Sequence, residues 1–279
     1  DSYADNYEEN YTIDDGSCIY TYQRILDEGA NLVSFWALPE GTDIDNIMDN
    51  DCINGVIGEG ISAADIPGIG WVGSLDKITY ESGYWIKTQC DCALSFEGYM
   101  EDVVYDLTEG ANLISFPHPG TMDVSDAIPD DEEIYFYGDD TGIIGEGVST
   151  FQLYPFEWVG SLTHFVGTNG YWAKVNDDFQ FSFILPDDNL IRESSLKVSL
   201  YDYAQSTHQA FYYIEEIKDV DIQVGDFILA YNGNTLVGAR EWTGAYTDIP
   251  TMGYMDESTE GYCNPGDIPR FVVEKAITG

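Results

Sequence analysis

An internal duplication limits the possible folds more than anything else in the sequence. Glu28-Gly29-Ala30-Asn31-Leu32-Val33-Ser34-Phe35 returns as Glu109-Gly110-Ala111-Asn112-Leu113-Ile114-Ser115-Phe116. Gly55-Val56-Ile57-Gly58-Glu59-Gly60 returns as Gly142-Ile143-Ile144-Gly145-Glu146-Gly147. Trp71-Val72-Gly73-Ser74-Leu75 matches Trp158-Val159-Gly160-Ser161-Leu162, and Gly83-Tyr84-Trp85-Ile86-Lys87 matches Gly170-Tyr171-Trp172-Ala173-Lys174. The first block repeats at an offset of 81 residues and the other three at 87. Four ordered blocks with one small shift define two tandem modules, residues 21–100 and 101–185. The added residues of the second copy fall near the acidic stretch 130–140.

The repeated blocks are short, rich in β-branched and aromatic residues, and bounded by Gly, Asn or Asp, which is strand chemistry with tight turns. Short helical turns are expected at residues 43–48 and 123–127, where an acidic residue precedes Ile or Ala. Residues 186–279 read as a third unit. Gln209-Ala-Phe-Tyr-Tyr-Ile-Glu is a strand, and Phe271-Val-Val-Glu is another. The segment 225–240 is a hairpin turning at Asn232-Gly233, the dipeptide favoured for a type I′ turn. The expected fold class is all-β: tandem small β domains plus a C-terminal β-sandwich, behind an acidic N-terminal segment, residues 1–20. The repeated tryptophans are read as filling small cores, with each indole N–H finding a partner.

Charge narrows the function. The chain carries 51 Asp and Glu against 10 Lys and Arg, a formal net charge of −41. That balance excludes nucleic-acid binding through phosphate contacts and argues against docking on anionic membranes. No apolar run approaches the length of a membrane span. Yet 44% of the residues are hydrophobic and 14% aromatic, so the chain is not a disordered acidic tail. Self-repulsion of this size calls for divalent cations, high salt or neutralising partners.

The five cysteines suit an oxidising compartment. Cys18, Cys52, Cys90 and Cys92 are disulfide candidates, and Cys90 and Cys92 are too close to bond one another, so each reaches elsewhere. Cys263 has no evident partner in its own domain and is expected to be free or to bridge to another chain. Oxygen ligands for Ca²⁺ are densest at the N-terminus, in Asp1, Asp5, Asn6, Asp14 and Asp15, with Gly16 allowing a sharp turn. Asp226 and Asp267, with Asp248 and Asp256, offer a second cation site. Arg240 is placed to pair with Asp226 or Asp248.

Two stretches resemble modules of secreted marine bacterial and viral surface proteins. The first is residues 1–20, where Ala4, Asn6, Tyr7, Asp14, Asp15, Gly16, Ser17, Cys18 and Tyr20 match a short acidic repeat ending D-D-G-S-C-x-Y. The second is the C-terminal unit, with Gly225-Asp226-Phe227-Ile228-Leu229-Ala230-Tyr231-Asn232-Gly233 and Gly261-Tyr262-Cys263-Asn264-Pro265-Gly266-Asp267-Ile268-Pro269. The W-V-G-S-L and G-Y-W-x-K modules resemble other units of such proteins. The resemblance implies an extracellular, adhesive or structural setting and a piece of a longer modular precursor, in which the partner of Cys18 lies upstream or Cys18 is re-paired. The start at Asp1, without an initiator methionine or signal peptide, agrees with processing or excision.

Catalytic signatures are weak. Asp140-Thr141-Gly142 has the triplet of aspartic proteases, but the equivalent stretch of the first module is Ile53-Asn54-Gly55 and lacks the second aspartate that mechanism needs. No nucleophile elbow, phosphate loop or dinucleotide fingerprint is present. Glu59 and Glu146 sit in identical Gly-Glu-Gly turns, one per module, which suits a turn or a cation ligand better than a pair of glycosidase carboxylates. The sequence thus predicts a non-enzymatic subunit of a surface appendage, filament, matrix or virion fibre on a cell or virion surface, held by Ca²⁺ and disulfides. It would associate with itself or with other surface proteins. Polysaccharide binding is the alternative, favoured if Trp36 or Trp242 is exposed, and a secreted hydrolase the more distant one. The C-terminal unit, with six of the ten basic residues, is the part suited to meet an acidic neighbour.

Overall fold

The computed structural model describes residues 4–6, 18–154, 156–185 and 200–276. It is an all-β protein of antiparallel sheets. In the first module the strands are β1 (Tyr20–Leu26), β2 (Gly29–Ser34), β3 (Ile53–Ile57), β4 (Ser62–Ile66), β5 (Gly70–Gly73), β6 (Gly83–Thr88) and β7 (Cys92–Gly98). In the second they are β8 (Tyr105–Leu107), β9 (Gly110–Ile114), β10 (Thr121–Asp123), β11 (Gly142–Ile144), β12 (Ser149–Leu153), β13 (Glu157–Gly160), β14 (His164–Val166), β15 (Tyr171–Val175) and β16 (Phe179–Phe181). Each module pairs its first strand with its last, β1 with β7 and β8 with β16. Each also builds one five-stranded sheet, β2-β6-β3-β4-β5 and β9-β15-β11-β12-β13. Two four-residue helices, α1 (Ile44–Ile47) and α2 (Val124–Ala127), begin after Asp43 and Asp123, where the sequence placed helical turns.

The repeated Glu-Gly-Ala-Asn block makes the corner between the first two strands of each module. Gly29 and Gly110 hold φ of 112° and 104°, a region that disfavours any side chain. Two residues on, the Asn31 amide accepts from the backbone N–H of Asp27 at 2.9 Å and donates to its carbonyl at 2.8 Å. Asn112 does the same with Thr108. A side-chain amide thus satisfies two backbone groups that the corner takes out of the ladder. The two modules have separate aromatic cores. Tyr22 stacks on Phe96 at 4.9 Å beside Phe35 in the first, and Phe116 stacks on Phe165 at 5.3 Å beside Phe183 in the second. The acidic insertion of the second copy contributes a short 3₁₀ turn, Glu133–Phe136, and the Trp158 indole donates to Glu133 there at 3.0 Å.

The C-terminal domain contains β17 (Gln209–Ile214), β18 (Phe227–Asn232), β19 (Thr235–Glu241), β20 (Thr247–Met252) and β21 (Arg270–Glu274). Sheets β17-β20 and β19-β18-β21 enclose Ile228, Val237, Trp242, Ile249 and Met252. The hairpin turn lies one residue later than the sequence placed it. Asn232 pairs with Thr235, so Gly233 and Asn234 form the loop, and the register shifts just outside it, between Ala230 and Tyr231. Freed from the loop, the Asn232 amide donates to the carbonyls of Gly261 and Tyr262, 3.1 Å each.

One disulfide joins Cys52 to Cys90, with Cα atoms 5.4 Å apart, tying the entry to β3 to the turn between β6 and β7. Cys92 and Cys263 are thiols, both half-buried. Burial, and then the carboxylates of Asp91 and Asp267 respectively, push these thiols upward in pKa. Cys18 packs against the first core.

Candidate functional site

The residues that the two modules share converge where the modules meet. Glu59 reaches out of its Gly-Glu-Gly turn and accepts a hydrogen bond from the backbone N–H of Leu113, at 2.8 Å. Glu146 accepts from the backbone N–H of Leu32, also at 2.8 Å. Leu32 and Leu113 are equivalent positions, so the two bonds are images of one another. The backbones follow the same rule. The N–H of Ser34 donates to the carbonyl of Thr168 at 3.2 Å, and that of Ser115 to Glu81 at 3.0 Å. Val33 bridges to Asn169 and Ile114 to Ser82. Between them a small apolar cluster holds Ala30, Leu32, Trp85 and Leu113, with Trp172 packed against it. Here the Gly-Tyr-Trp block has its explanation. Its glycines let the two backbones approach, its tyrosines cap a loop with their hydroxyls (Thr79 and Val166 N–H donate at 2.9 and 2.7 Å), and its tryptophans fill the joint. The modules form an isologous contact of the kind that joins two-fold dimers, made within one chain.

The C-terminal domain sits on this pair and breaks the symmetry. Asp248, 1% exposed, accepts from the hydroxyls of Ser149 (3.1 Å) and Ser161 (2.7 Å) on the second module. Its other neighbour is Arg240, at 3.4 Å; the same guanidinium donates to the carbonyl of Gly147 in the second Gly-Glu-Gly turn. Tyr213 donates to Ser149 at 2.7 Å, and the Gln209 amide spans Gly145 and Gly147. Phe151 meets Tyr213 edge-on at 4.5 Å. A second foot rests on the first module, where Lys87 contacts Asp256 at 2.5 Å. Covering the second turn changes its electrostatics. Burial pushes the Glu146 carboxyl above the usual carboxylate range, although the Leu32 N–H and Arg24 pull the other way. Asp248 is likewise raised by burial, against the pull of Arg240 and the serines.

Other positions singled out in the sequence are scattered. Asp226 accepts from the N–H groups of Ala276 and Gln223 and from Lys275, which hold its carboxyl down at about 2. Asp267 accepts from the N–H of Asn264 at 2.8 Å, across a turn. Near the N-terminus, Asp5 takes the Thr21 hydroxyl at 2.7 Å and Asn6 the N–H of Ile19 at 2.9 Å. Asp1, Asp14 and Asp15 lie outside the described residues. Among the described residues no three His, Cys, Asp or Glu side chains converge on one point. Arg240 pairs with Asp248, while Asp226 takes Lys275 instead. Asp140 pairs with Lys174 on the surface at 2.5 Å.

His164 lies between the Thr163 hydroxyl, 2.7 Å from Nδ1, and Asp123, 2.6 Å from Nε2. The order of groups resembles a hydrolytic relay. However, it lies on the open surface of the β10–β14 pair, and the first module holds Lys77 and Asp43 in the same place. Trp36 and Trp242 are both 8% exposed and belong to cores, so neither serves as a stacking platform. Among the described residues no helix is long and apolar enough to cross a membrane. Comparison with family models, curated proteins and solved structures returned no match.

Proposed function

We propose that this protein is an extracellular structural or adhesive subunit of a surface assembly. The observation that carries the proposal is the use the chain makes of its repeated residues. Glu59 and Glu146, Gly83 and Gly170, and the two Gly-Tyr-Trp tryptophans lock modules to one another, where an enzyme or lectin repeat would line a cleft. Two β modules fastened by reciprocal contacts, with a third unit anchored on both, make a stiff building block, and the Cys52–Cys90 disulfide suits an oxidising exterior. The charge of −41 makes counter-ions part of the proposal: divalent cations, Ca²⁺ in particular, screen acidic faces that must approach one another.

Negative-stain microscopy and sedimentation, with and without a chelator, test this. Particles larger than one chain that disperse on cation removal are expected. A single-chain species at every concentration and cation level refutes assembly by self-association.

A second reading, polysaccharide binding, draws on an open groove of about 430 Å³ in the C-terminal domain, lined by His208, Tyr212, Tyr254, Asn264 and Asp267. Saturation-transfer NMR with acidic and neutral oligosaccharides decides it.

A further inference from the structure

The C-terminal domain occupies one of two equivalent seats. On the second module it covers Ser149 (1% exposed) and lies along β13, the last strand of its sheet. The same face of the first module consists of Gly60, Ser62, Ser74 and β5. Ser74 accepts from the Ser62 N–H at 3.3 Å, as Ser161 does from Ser149 at 3.4 Å. The platform is therefore built in both modules, but in the first it is bare. Ser62 and Ser74 are exposed, and so are Ile61, Ile66, Ile69 (74%) and Val72 (47%). Among the described residues no strand pairs with the outer side of β5. An unpaired edge strand that exposes Val72, with Ile61, Ile66 and Ile69 exposed on the neighbouring strand and turns, is a liability unless something covers it.

A second free edge lies in the C-terminal domain. β21 is the last strand of β19-β18-β21 and has no outer partner among the described residues. Its charges are unusual for this chain. Exposed Arg270 stands at one end, over the Tyr231 ring and with no carboxylate partner among the described residues; Lys275, just past the other end, is already paired with Asp226, and Glu274 is engaged by the Tyr201 hydroxyl. The uncharged β5 strand, Gly-Trp-Val-Gly, is flanked by exposed Asp65 and Asp76. In a chain with 10 basic residues against 51 acidic, a strand edge that presents an exposed arginine is where an acidic face can approach.

We infer that β5 of one molecule pairs with β21 of a second copy of this chain, continuing the face that the C-terminal domain already covers on the sister module. The two surfaces differ, so the contact is heterologous, and each molecule keeps one free edge after pairing. The inference deepens the assembly reading and rests on it. Hydrophobic burial of Ile69 and Val72 and main-chain hydrogen bonds supply the attraction, while the net charge opposes it, so pairing strengthens with salt.

The test uses two full-length variants, Ile69→Lys/Val72→Lys to disable β5 and Arg270→Glu to disable β21. Circular dichroism and retention of the disulfide check that each folds. By sedimentation in 0.5 M salt, wild type should form species that grow with concentration, and each variant alone should stay monomeric. An equimolar mixture of the variants should give a 1:1 dimer and nothing larger, because each supplies the edge the other lacks. If wild type assembles and the variants assemble as well as it does, the β5–β21 contact is wrong while the assembly reading survives. If the mixture gives no dimer, the pairing is refuted. If wild type never assembles, both fall.

Discussion

Gly83 and Gly170 lie so close across the module joint that a Cβ placed on either would stand 3.2 Å from the other's Cα. The same atom would stand 2.8 Å from the Ile114 carbonyl oxygen at Gly83, and 2.7 Å from that of Val33 at Gly170. Both obstacles are backbone, which does not give way cheaply. Alanine at either position should therefore cost about 1–3 kcal/mol in urea unfolding. Gly55→Ala is the control. Its Cβ would meet Lys87 at 3.7 Å, an ordinary contact, and should change little. Equal stability of all three variants would mean that the modules do not touch as described.

Glu146→Ala removes the acceptor of the Leu32 N–H in a turn that the C-terminal domain covers, whereas its image Glu59 is solvent-exposed. The loss should be about 1–2 kcal/mol at position 146 and smaller at 59, with Glu146→Gln recovering most of it because its amide oxygen still accepts. Thermal melts of the three variants at pH 6 measure this.

Asp248 and Glu146 set one direction of pH dependence. Both have folded-state pKa values above their unfolded ones, mainly through burial. As pH rises past the ordinary carboxylate range, the unfolded chain loses these protons first. Their contribution is therefore full at low pH and declines as pH climbs through the raised folded values. Asp248→Asn should flatten that decline in stability measured from pH 4 upward. A wild-type slope unchanged in the variant would remove Asp248 from the account.

Asp226 sets the opposite direction. Its folded pKa, about 2, lies below the unfolded value, so its contribution is present above about pH 4 and disappears as pH falls toward 2. Acid titration of wild type against Asp226→Asn should show this component of acid unfolding only in wild type.

Breaking the Cys52–Cys90 bridge, which spans 38 residues, should cost about 3–4 kcal/mol by the loop-entropy estimate. Non-reducing peptide mapping should recover that pair. At pH 7, Cys92 and Cys263 should alkylate slowly, because burial and a neighbouring carboxylate disfavour both thiolates.

The strands and corners were legible because they are local. Gly29 and Asn31 settle their corner within five residues, and the repeat doubled every signal. The seats were not legible. Glu59 and Leu113 are 54 residues apart, and Glu146 and Leu32 are 114 apart, so a bond between a turn and the other module's strand leaves no spacing to read. The duplication does mark the residues: a glutamate identical in both copies, between glycines, reads as a turn residue or a cation ligand, and in the structure each accepts from the other module's strand. The acidic residues are legible by type but not by place. Asp226, Asp248, Asp256 and Asp267 looked like a cation set by type, but each is taken up by a different lysine, arginine, serine or backbone N–H.

The twin modules differ in how they would behave under tension. Where the first has Cys52 and Cys90, the second has Asp139 and Asp177 and no bridge. Pulled from its two ends until it unravels, the second module pays out its whole contour. The first withholds the 38-residue stretch between its sulfur atoms, roughly 130 Å of slack at full extension. Two copies of one design thus become an extensible link and a link with a built-in stop.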